Sequence, residues 1–237
     1  MKKINAFLVA LVALFAVSLN AGAQSQKETV EFNPHWYFDG KVGGQYTLGD
    51  AKFMDLLSPN AQVGIGYNFN PVLGLRLSAN AWQSKGGWKE SVDLPHSPYK
   101  WTYVAPQLDL MFNLSNLFCG FNPNRLVDVS VFGGIAANIG LSNKQMNENY
   151  DAVGKNYYDY DMMPDPHWAV TNGEPFGTYN WTGTKVRPFG HFGVDVDFKV
   201  SDRVKVGVEG SANVGSDKYN SKGTNCADWY FNALVGV

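Results

Sequence analysis

Three side chains that could support hydrolysis fall between residues 185 and 214. His191 and Asp195 share one predicted strand, and Ser211 lies on the next. A serine hydroxyl beside a histidine that a carboxylate orients is the arrangement of a nucleophilic hydrolase. A hydrolase that acts on membrane lipid would carry these residues on its lipid-facing side. The strand pattern described below predicts instead that they face the interior of a barrel. We therefore interpret them as members of a structural polar network and predict no enzyme activity.

A second group of candidate ligands lies in the segment 157–181. Its carboxylates Asp159, Asp161 and Asp165 could offer oxygen atoms to Ca²⁺, but their spacing does not match an EF-hand loop, so we predict no metal and no cofactor. Aromatic side chains among Asn, Asp and Gly are typical of adaptable contact surfaces. The segment is therefore a predicted external contact loop, formed by Tyr157, Tyr158, Tyr160, Trp168, Tyr179 and Trp181.

The elements that position these residues are clearest at Lys185–Val214. Even-numbered residues from 186 to 200 are mostly Val and Phe, and odd-numbered residues are mostly charged or polar. The same alternation continues through residues 204–214, after the turn Ser201-Asp202-Arg203. Alternation with a period of two indicates a pair of strands with one apolar and one polar face.

The same pattern recurs along the rest of the chain, and no helical segment is predicted between the strands. Further strands are predicted at 36–47, 61–69, 73–82, 103–112, 127–139 and 229–237. Long connections (48–59, 83–100, 140–184 and 215–227) alternate with short ones (70–71, 113–125 and 201–203). This asymmetry is typical of outer-membrane barrels. The predicted fold is all-β, an eight-stranded antiparallel up-and-down transmembrane β-barrel.

The first residues predict export. Lys2 and Lys3 precede an apolar run from Ile4 to Leu19, and Ala21-Gly22-Ala23 resembles a cleavage site. We expect a signal peptide at 1–23 that directs the chain through the Sec pathway, an unstructured lead-in at 24–34 and the barrel at 35–237. With 19 basic and 21 acidic residues and no basic block, nucleic acid is not an expected partner.

The polar face of the strands is predicted to line the interior. Its charges are balanced, as an enclosed interior requires, whereas the opposite face carries almost none. Outward-facing aromatic residues near the strand ends would form the two interfacial girdles. Tyr37 and Trp82 are predicted to help fill the interior. The predicted interior network comprises Asp39, Lys41, Arg76, Asp109, Arg187, His191, Asp195, Asp197 and Glu209. The alternative is a secreted lipocalin-like barrel with an apolar cavity.

Several runs resemble OmpA-like outer-membrane proteins of the Bacteroidetes type. They are residues 33–49, Ser58-Pro59-Asn60, Gly64-Ile65-Gly66-Tyr67 and Gly74-Leu75-Arg76-Leu77. The resemblance implies a barrel in the outer membrane of a Gram-negative cell, in contact with lipid and lipopolysaccharide. Many relatives carry a C-terminal periplasmic domain that binds peptidoglycan. We expect this chain to be either a fragment of such a protein or a member with the barrel alone.

The expected function is that of a structural anchor with a plugged interior, whose external loops mediate adhesion or recognition of a host or cell surface. A small porin-like channel is the alternative, and a lipid-modifying enzyme is the third hypothesis. Cys119 and Cys226 are predicted to lie at opposite ends of an apolar belt about 25 Å tall, too far apart for a disulfide.

Overall fold

The strands close into a barrel. The computed structural model describes residues 31–49, 51–87, 98–142, 144–145, 170–171, 174–175, 181, 183–220 and 226–237. The strands are β1 (His35–Thr47), β2 (Leu57–Asn68), β3 (Leu73–Gly86), β4 (Tyr99–Asn113), β5 (Val127–Ser142), β6 (Val170–Thr171), β7 (Glu174–Pro175), β8 (Lys185–Lys199), β9 (Lys205–Gly215) and β10 (Asp228–Gly236). Within these residues, eight antiparallel strands form a closed barrel in the order β1-β10-β9-β8-β5-β4-β3-β2, and β6 pairs with β7 alone. The predicted fold class is confirmed.

The two ends of the barrel differ. β1 closes the sheet by pairing with both β2 and β10, so that Val42 lies between Ala61 and Val235. The turn end contains the connections 69–72, 114–126 and 200–204, together with the start of β1 and the end of β10. The loop end contains the connections 48–56, 87–98, 143–184 and 216–227. The placement of the connections at the two ends follows the sequence prediction, but the turn-end connection 114–126 is longer than the loop-end connections 48–56, 87–98 and 216–227.

Several strands extend further at the loop end than predicted. β2 begins at Leu57, β3 ends at Gly86 and β4 begins at Tyr99. The β3–β4 pairing continues to Gly86 opposite Tyr99. Beyond the apolar belt the outward face no longer needs apolar residues, so apolar residues no longer mark that face although the backbone hydrogen bonds continue.

The prediction of no helix was wrong in the connections 48–56 and 114–126. A 3₁₀ turn spans Phe53–Leu56, and a short α-helix spans Leu114–Cys119. The Asn113 side chain caps this helix by accepting a hydrogen bond from the Asn116 N–H at 2.7 Å, and Gly120 follows it with φ 74°. In the described part of the chain, no helix is long and apolar enough to cross a membrane.

The polar face of the strands lies inside and the apolar face outside. Arg76 is 1% exposed, whereas its neighbour Leu77 is 55% exposed. This is the inverse of a soluble barrel and the arrangement of a membrane barrel. Trp82 departs from the prediction: its side chain is 59% exposed, although its partners on the adjacent strands, Asn60 and Tyr103, are buried.

Outward-facing aromatic side chains contact one another near both ends of the strands. At the turn end Tyr67 packs between Trp36 and Phe69, with ring centroids 4.9 and 5.3 Å apart. At the loop end Phe231 lies 6.5 Å from Tyr46 and 6.2 Å from Trp229. Amphipathic rings at these two levels are typical of the interfaces of a membrane barrel.

Both cysteines lie within the described residues and are free thiols. Cys119 ends the short helix at the turn end, and Cys226 lies in the connection between β9 and β10 at the loop end.

Candidate functional site: the filled interior

A network of ion pairs crosses the middle of the barrel. The Arg76 guanidinium donates to Asp109 Oδ2 from Nη2 at 3.1 Å and from Nε at 3.3 Å, and to Glu209 Oε2 from Nη1 at 2.7 Å. The Lys41 ammonium donates to Glu209 at 2.7 Å and to Asp195. Gln62 donates to both Glu209 oxygens at 3.2 and 3.3 Å. Strands β1, β2, β3, β4, β8 and β9 all contribute, so the network joins opposite walls of the barrel.

His191 borders this network without forming a hydrolase site. Its Nδ1 is 2.8 Å from Asn213 Oδ1, and its Nε2 is 3.6 Å from Asp109 Oδ2. Ser211 instead accepts a hydrogen bond from Asn232 at 3.3 Å, and Asp195 is held by Lys41. The three candidate residues are therefore engaged in separate contacts.

Glycines leave the space that the buried charges occupy. A Cβ at Gly134 would overlap the Leu108 carbonyl oxygen and lie 2.7 Å from Asp109 Oδ1. At Gly64 a Cβ would lie 2.6 Å from Asp39 Oδ2. These strand glycines allow a carboxylate to fold over the neighbouring strand.

A layer of amides and hydroxyls lies between the ion pairs and the loop end. Asn60 donates from Nδ2 to Gln45 at 3.0 Å and to Tyr103 at 2.7 Å. Gln45 in turn donates to Ser84 at 2.8 Å. Because each amide both donates and accepts, these side chains can satisfy one another inside the barrel.

Aromatic side chains close the interior at the loop end. Tyr219 is at the centre of the cluster, with ring centroids 5.2 Å from Trp101, 5.0 Å from Phe189 and 5.2 Å from Tyr230. Burial raises the pKa of the Tyr219 phenol to about 12. We call this set the aromatic closure: Tyr99, Trp101, Tyr103, Trp181, Phe189, Tyr219 and Tyr230.

The aromatic closure was not anticipated as a unit. Tyr103 and Tyr230 lay on the predicted inner face, but Tyr99, Tyr219 and Trp181 fell in predicted connections, and the predicted fourth strand began only after Trp101. The alternation of Tyr99, Trp101 and Tyr103 is the sequence pattern that could have extended β4 and identified the cluster.

Two predicted site residues are placed differently. Trp181, predicted to be an exposed contact residue, is buried in the aromatic closure over Gly140. Arg187 lies at the same level, with its guanidinium carbon 5.0 Å from the centre of a Trp181 ring, and not among the ion pairs. Residue 187 is near the loop end of β8, too far along the strand to reach Asp109 or Glu209. The other loop residues, Tyr157, Tyr158, Tyr160, Trp168 and Tyr179, lie outside the described residues.

The turn end of the barrel is open, whereas the loop end is closed. A cavity of about 950 Å³ is lined there by Asp39, Asp195 and Asp197 among others. Both Asp39 carboxylate oxygens are buried without a hydrogen-bond partner among the described residues. Nearby, Lys205 donates to Asp128 at 2.6 Å. Of the predicted network, Lys41, Arg76, Asp109, His191, Asp195 and Glu209 lie together, and Asp39 and Asp197 lie in this cavity.

No metal site is present in the part of the chain that the structure describes: no three His, Cys, Asp or Glu side chains are grouped suitably there. The buried carboxylates of the network are held by Lys41 and Arg76.

Comparison with known proteins agrees with this architecture. Outer membrane protein 40 of Porphyromonas gingivalis (strain ATCC BAA-308 / W83) is 26% identical over 222 residues, which cover 92% of this chain. The match fits the OmpA-like outer-membrane β-barrels that the sequence resembles. The chain spans about half the length of the curated relative, of which the match covers 50%. The predicted resemblance and the outer-membrane location are therefore confirmed. No protein-family model matches the sequence.

Solved structures similar to this chain include two outer-membrane proteins. The N-terminal β-barrel domain of Pseudomonas aeruginosa OprF is 10% identical, covers 84% of this chain and 94% of its own, and has a TM-score of 0.41. The attachment invasion locus protein Ail of Yersinia pestis, solved with the heparin analogue sucrose octasulfate, is 12% identical with the same coverage and a TM-score of 0.39.

Proposed function

We propose that this barrel is a non-conducting anchor in the outer membrane. The observation that carries the proposal is the succession of filled layers along its axis. The aromatic closure occupies the loop end, the amides around Asn60 lie next, and the ion pairs of Arg76 and Lys41 cross the middle. An eight-stranded barrel has an interior just wide enough for side chains, so these layers leave little room for ions or solutes.

The proposal is tested by planar-bilayer recording of the purified chain. The wild-type barrel should insert without producing steady conductance steps. Replacing two residues of the aromatic closure, Tyr103→Ala with Tyr230→Ala, should introduce brief current fluctuations, because two of the seven aromatic side chains that close the loop end would then be missing. The matched control Leu77→Ala with Leu108→Ala removes lipid-facing side chains and should be as silent as the wild type.

Folding of each variant is checked first by the change in gel mobility between unboiled and boiled samples. Steady steps from the wild type that Tyr103→Ala and Tyr230→Ala leave unchanged would contradict the anchor and support the porin-like channel. Silence of the wild type together with fluctuations confined to the aromatic variant would support a barrel closed by its own side chains.

The remaining elements of the proposal concern export and partners. We infer that residues 1–23 direct the chain through the Sec pathway and that lipid and lipopolysaccharide surround the barrel. Contact with peptidoglycan would come through a further domain, a proposal consistent with the greater length of the curated relative. Adhesion through the segment 157–181 stays a prediction, tested by deleting that loop and measuring cell or matrix binding of the folded barrel.

A further inference from the structure

The connection between β4 and β5 is a folded unit at the turn end. Asn116 of its helix donates from Nδ2 to the Pro71 carbonyl at 2.7 Å, and the Ser115 hydroxyl accepts from the Val129 N–H at 2.9 Å. Further along, Arg125 is buried and donates from Nη2 to the Gly120 carbonyl at 2.6 Å. These contacts fix the helix against the β2–β3 turn and the start of β5.

The opposite side of this unit exposes apolar side chains. Leu117 is 52%, Phe118 65% and Leu126 60% exposed. The helix Leu114–Cys119 contains no charged residue. We call Leu117, Phe118 and Leu126 the apolar foot. None of the three lines the turn-end cavity, whereas Asn116, Phe121 and Arg125 of the same connection do. The apolar foot therefore faces away from the barrel interior.

The apolar foot is continuous with the lipid-facing surface of the strands. The Lys199 N–H donates to the Leu126 carbonyl at 2.8 Å, which places Leu126 beside the end of β8. The exposed Val200 and Val204 follow in the adjacent turn, and the exposed Phe112 lies on β4 two residues before the helix. Exposed polar residues of these connections, Asn124, Ser201, Asp202 and Arg203, lie in the turns.

We propose that the apolar foot rests in the inner leaflet of the outer membrane, covered by phospholipid at the boundary between headgroups and acyl chains. Continuity with the apolar belt and the lack of charge on the helix favour lipid over a periplasmic protein, since interfacial helices are held by buried apolar area. The proposal depends on the barrel's place in the outer membrane and on the turn end facing the inner leaflet. It does not depend on whether the lumen conducts.

A fluorescent label on the apolar foot measures this contact directly. Cys119→Ser and Cys226→Ser remove the native thiols, and Leu117→Cys then carries a bimane label in the full chain. The barrel is folded into phosphatidylethanolamine–phosphatidylglycerol vesicles containing phosphatidylcholine brominated at defined depths. The matched control is Asn124→Cys, an exposed polar position in the same connection. Leu126→Cys is a second test position should Leu117→Cys fail to fold.

The label at residue 117 should be quenched several-fold more by brominated lipid than the label at residue 124, most strongly by bromines about 5–10 Å below the headgroups. Aqueous iodide should quench the label at residue 124 more strongly than the label at residue 117. Equal quenching of the two labels by brominated lipid would overturn the proposal. So would protection of residue 117 from iodide without lipid quenching, because a protein surface would then cover the foot. If the bilayer recording shows no conductance but the two labels are quenched equally, the lipid contact of the apolar foot is refuted while the non-conducting anchor is still supported.

Discussion

Glu209 shows how single residues keep charge inside a membrane barrel. It accepts hydrogen bonds from Arg76, Lys41 and Gln62, which belong to three different strands. Isolated charges in a low-dielectric interior are costly, and removing one partner of a buried pair leaves the other uncompensated. The structure therefore predicts that the network acts as a unit.

The Arg76→Met variant should lose about 3–5 kcal/mol of the free energy of unfolding, because Asp109 and Glu209 lose their shared partner. The measurement is urea unfolding of the barrel in phospholipid vesicles, followed by tryptophan fluorescence.

The control for that variant is Asp202→Asn, which removes one partner of the surface ion pair with Lys199 at 2.8 Å. The hydrogen bond and charge of Lys199 lower the pKa of the Asp202 carboxyl, yet this side chain is 93% exposed, so its loss should leave the unfolding curve unchanged. Equal destabilisation by both variants would contradict the special role of the buried network.

The buried phenol of Tyr219 predicts that the free energy of unfolding falls at alkaline pH. Burial raises the pKa of its phenol to about 12, above the ordinary value near 10. Above pH 10 the unfolded chain releases this proton while the folded barrel retains it, so ionisation favours unfolding. The wild-type barrel should therefore lose up to about 2–3 kcal/mol relative to Tyr219→Phe as pH rises from 10 to 12. Urea unfolding of both proteins across this range measures the difference, and parallel pH profiles would contradict it.

At the scale of elements, two adjacent glycines of β5, Gly133 and Gly134, lie on opposite faces of the barrel wall. Gly134 faces the interior, where a Cβ would collide with Leu108 and Asp109 of β4, whereas a Cβ at Gly133 would meet nothing within 4 Å. Gly134→Ala should cost about 1–3 kcal/mol through overpacking of the β4–β5 wall. Gly133→Ala is the matched control and should have little effect. Unfolding midpoints in urea compare the two, and a larger effect at residue 133 would refute the assignment of faces.

The strands were predictable from the sequence wherever one of their faces meets lipid. All eight barrel strands lie where period-two alternation predicts them. The strand extensions at Leu57, Gly86 and Tyr99 and the helix at Leu114–Cys119 were missed. The extensions lie beyond the apolar belt, where alternation is no longer required. The helix is too short for a helical period to show, and its capping by Asn113 depends on local geometry.

At the scale of the whole molecule, the barrel is polarised along its axis. Aromatic side chains close the loop end, and the turn end keeps a charged cavity of about 950 Å³. The connections after β1, β3 and β9 and the buried Trp181 lie at the closed end, and both chain ends of the barrel lie at the open end. This arrangement suits the proposed anchor, which is closed at one end by its own side chains.

The amino-acid sequence alone predicts the strand number, the inversion of the two faces and the membrane setting, because lipid on one side and a narrow interior on the other impose a period of two on every strand. It does not predict which interior residues meet. Arg76, Lys41, Asp109, Asp195 and Glu209 come from five strands, and their contacts depend on barrel closure and register. The same closure placed Arg187 and Trp181 together at the loop end and buried Tyr219 between its aromatic neighbours. Alternation specifies the face of a residue, whereas its level along the axis and its partners across the lumen follow from the stagger of the strands.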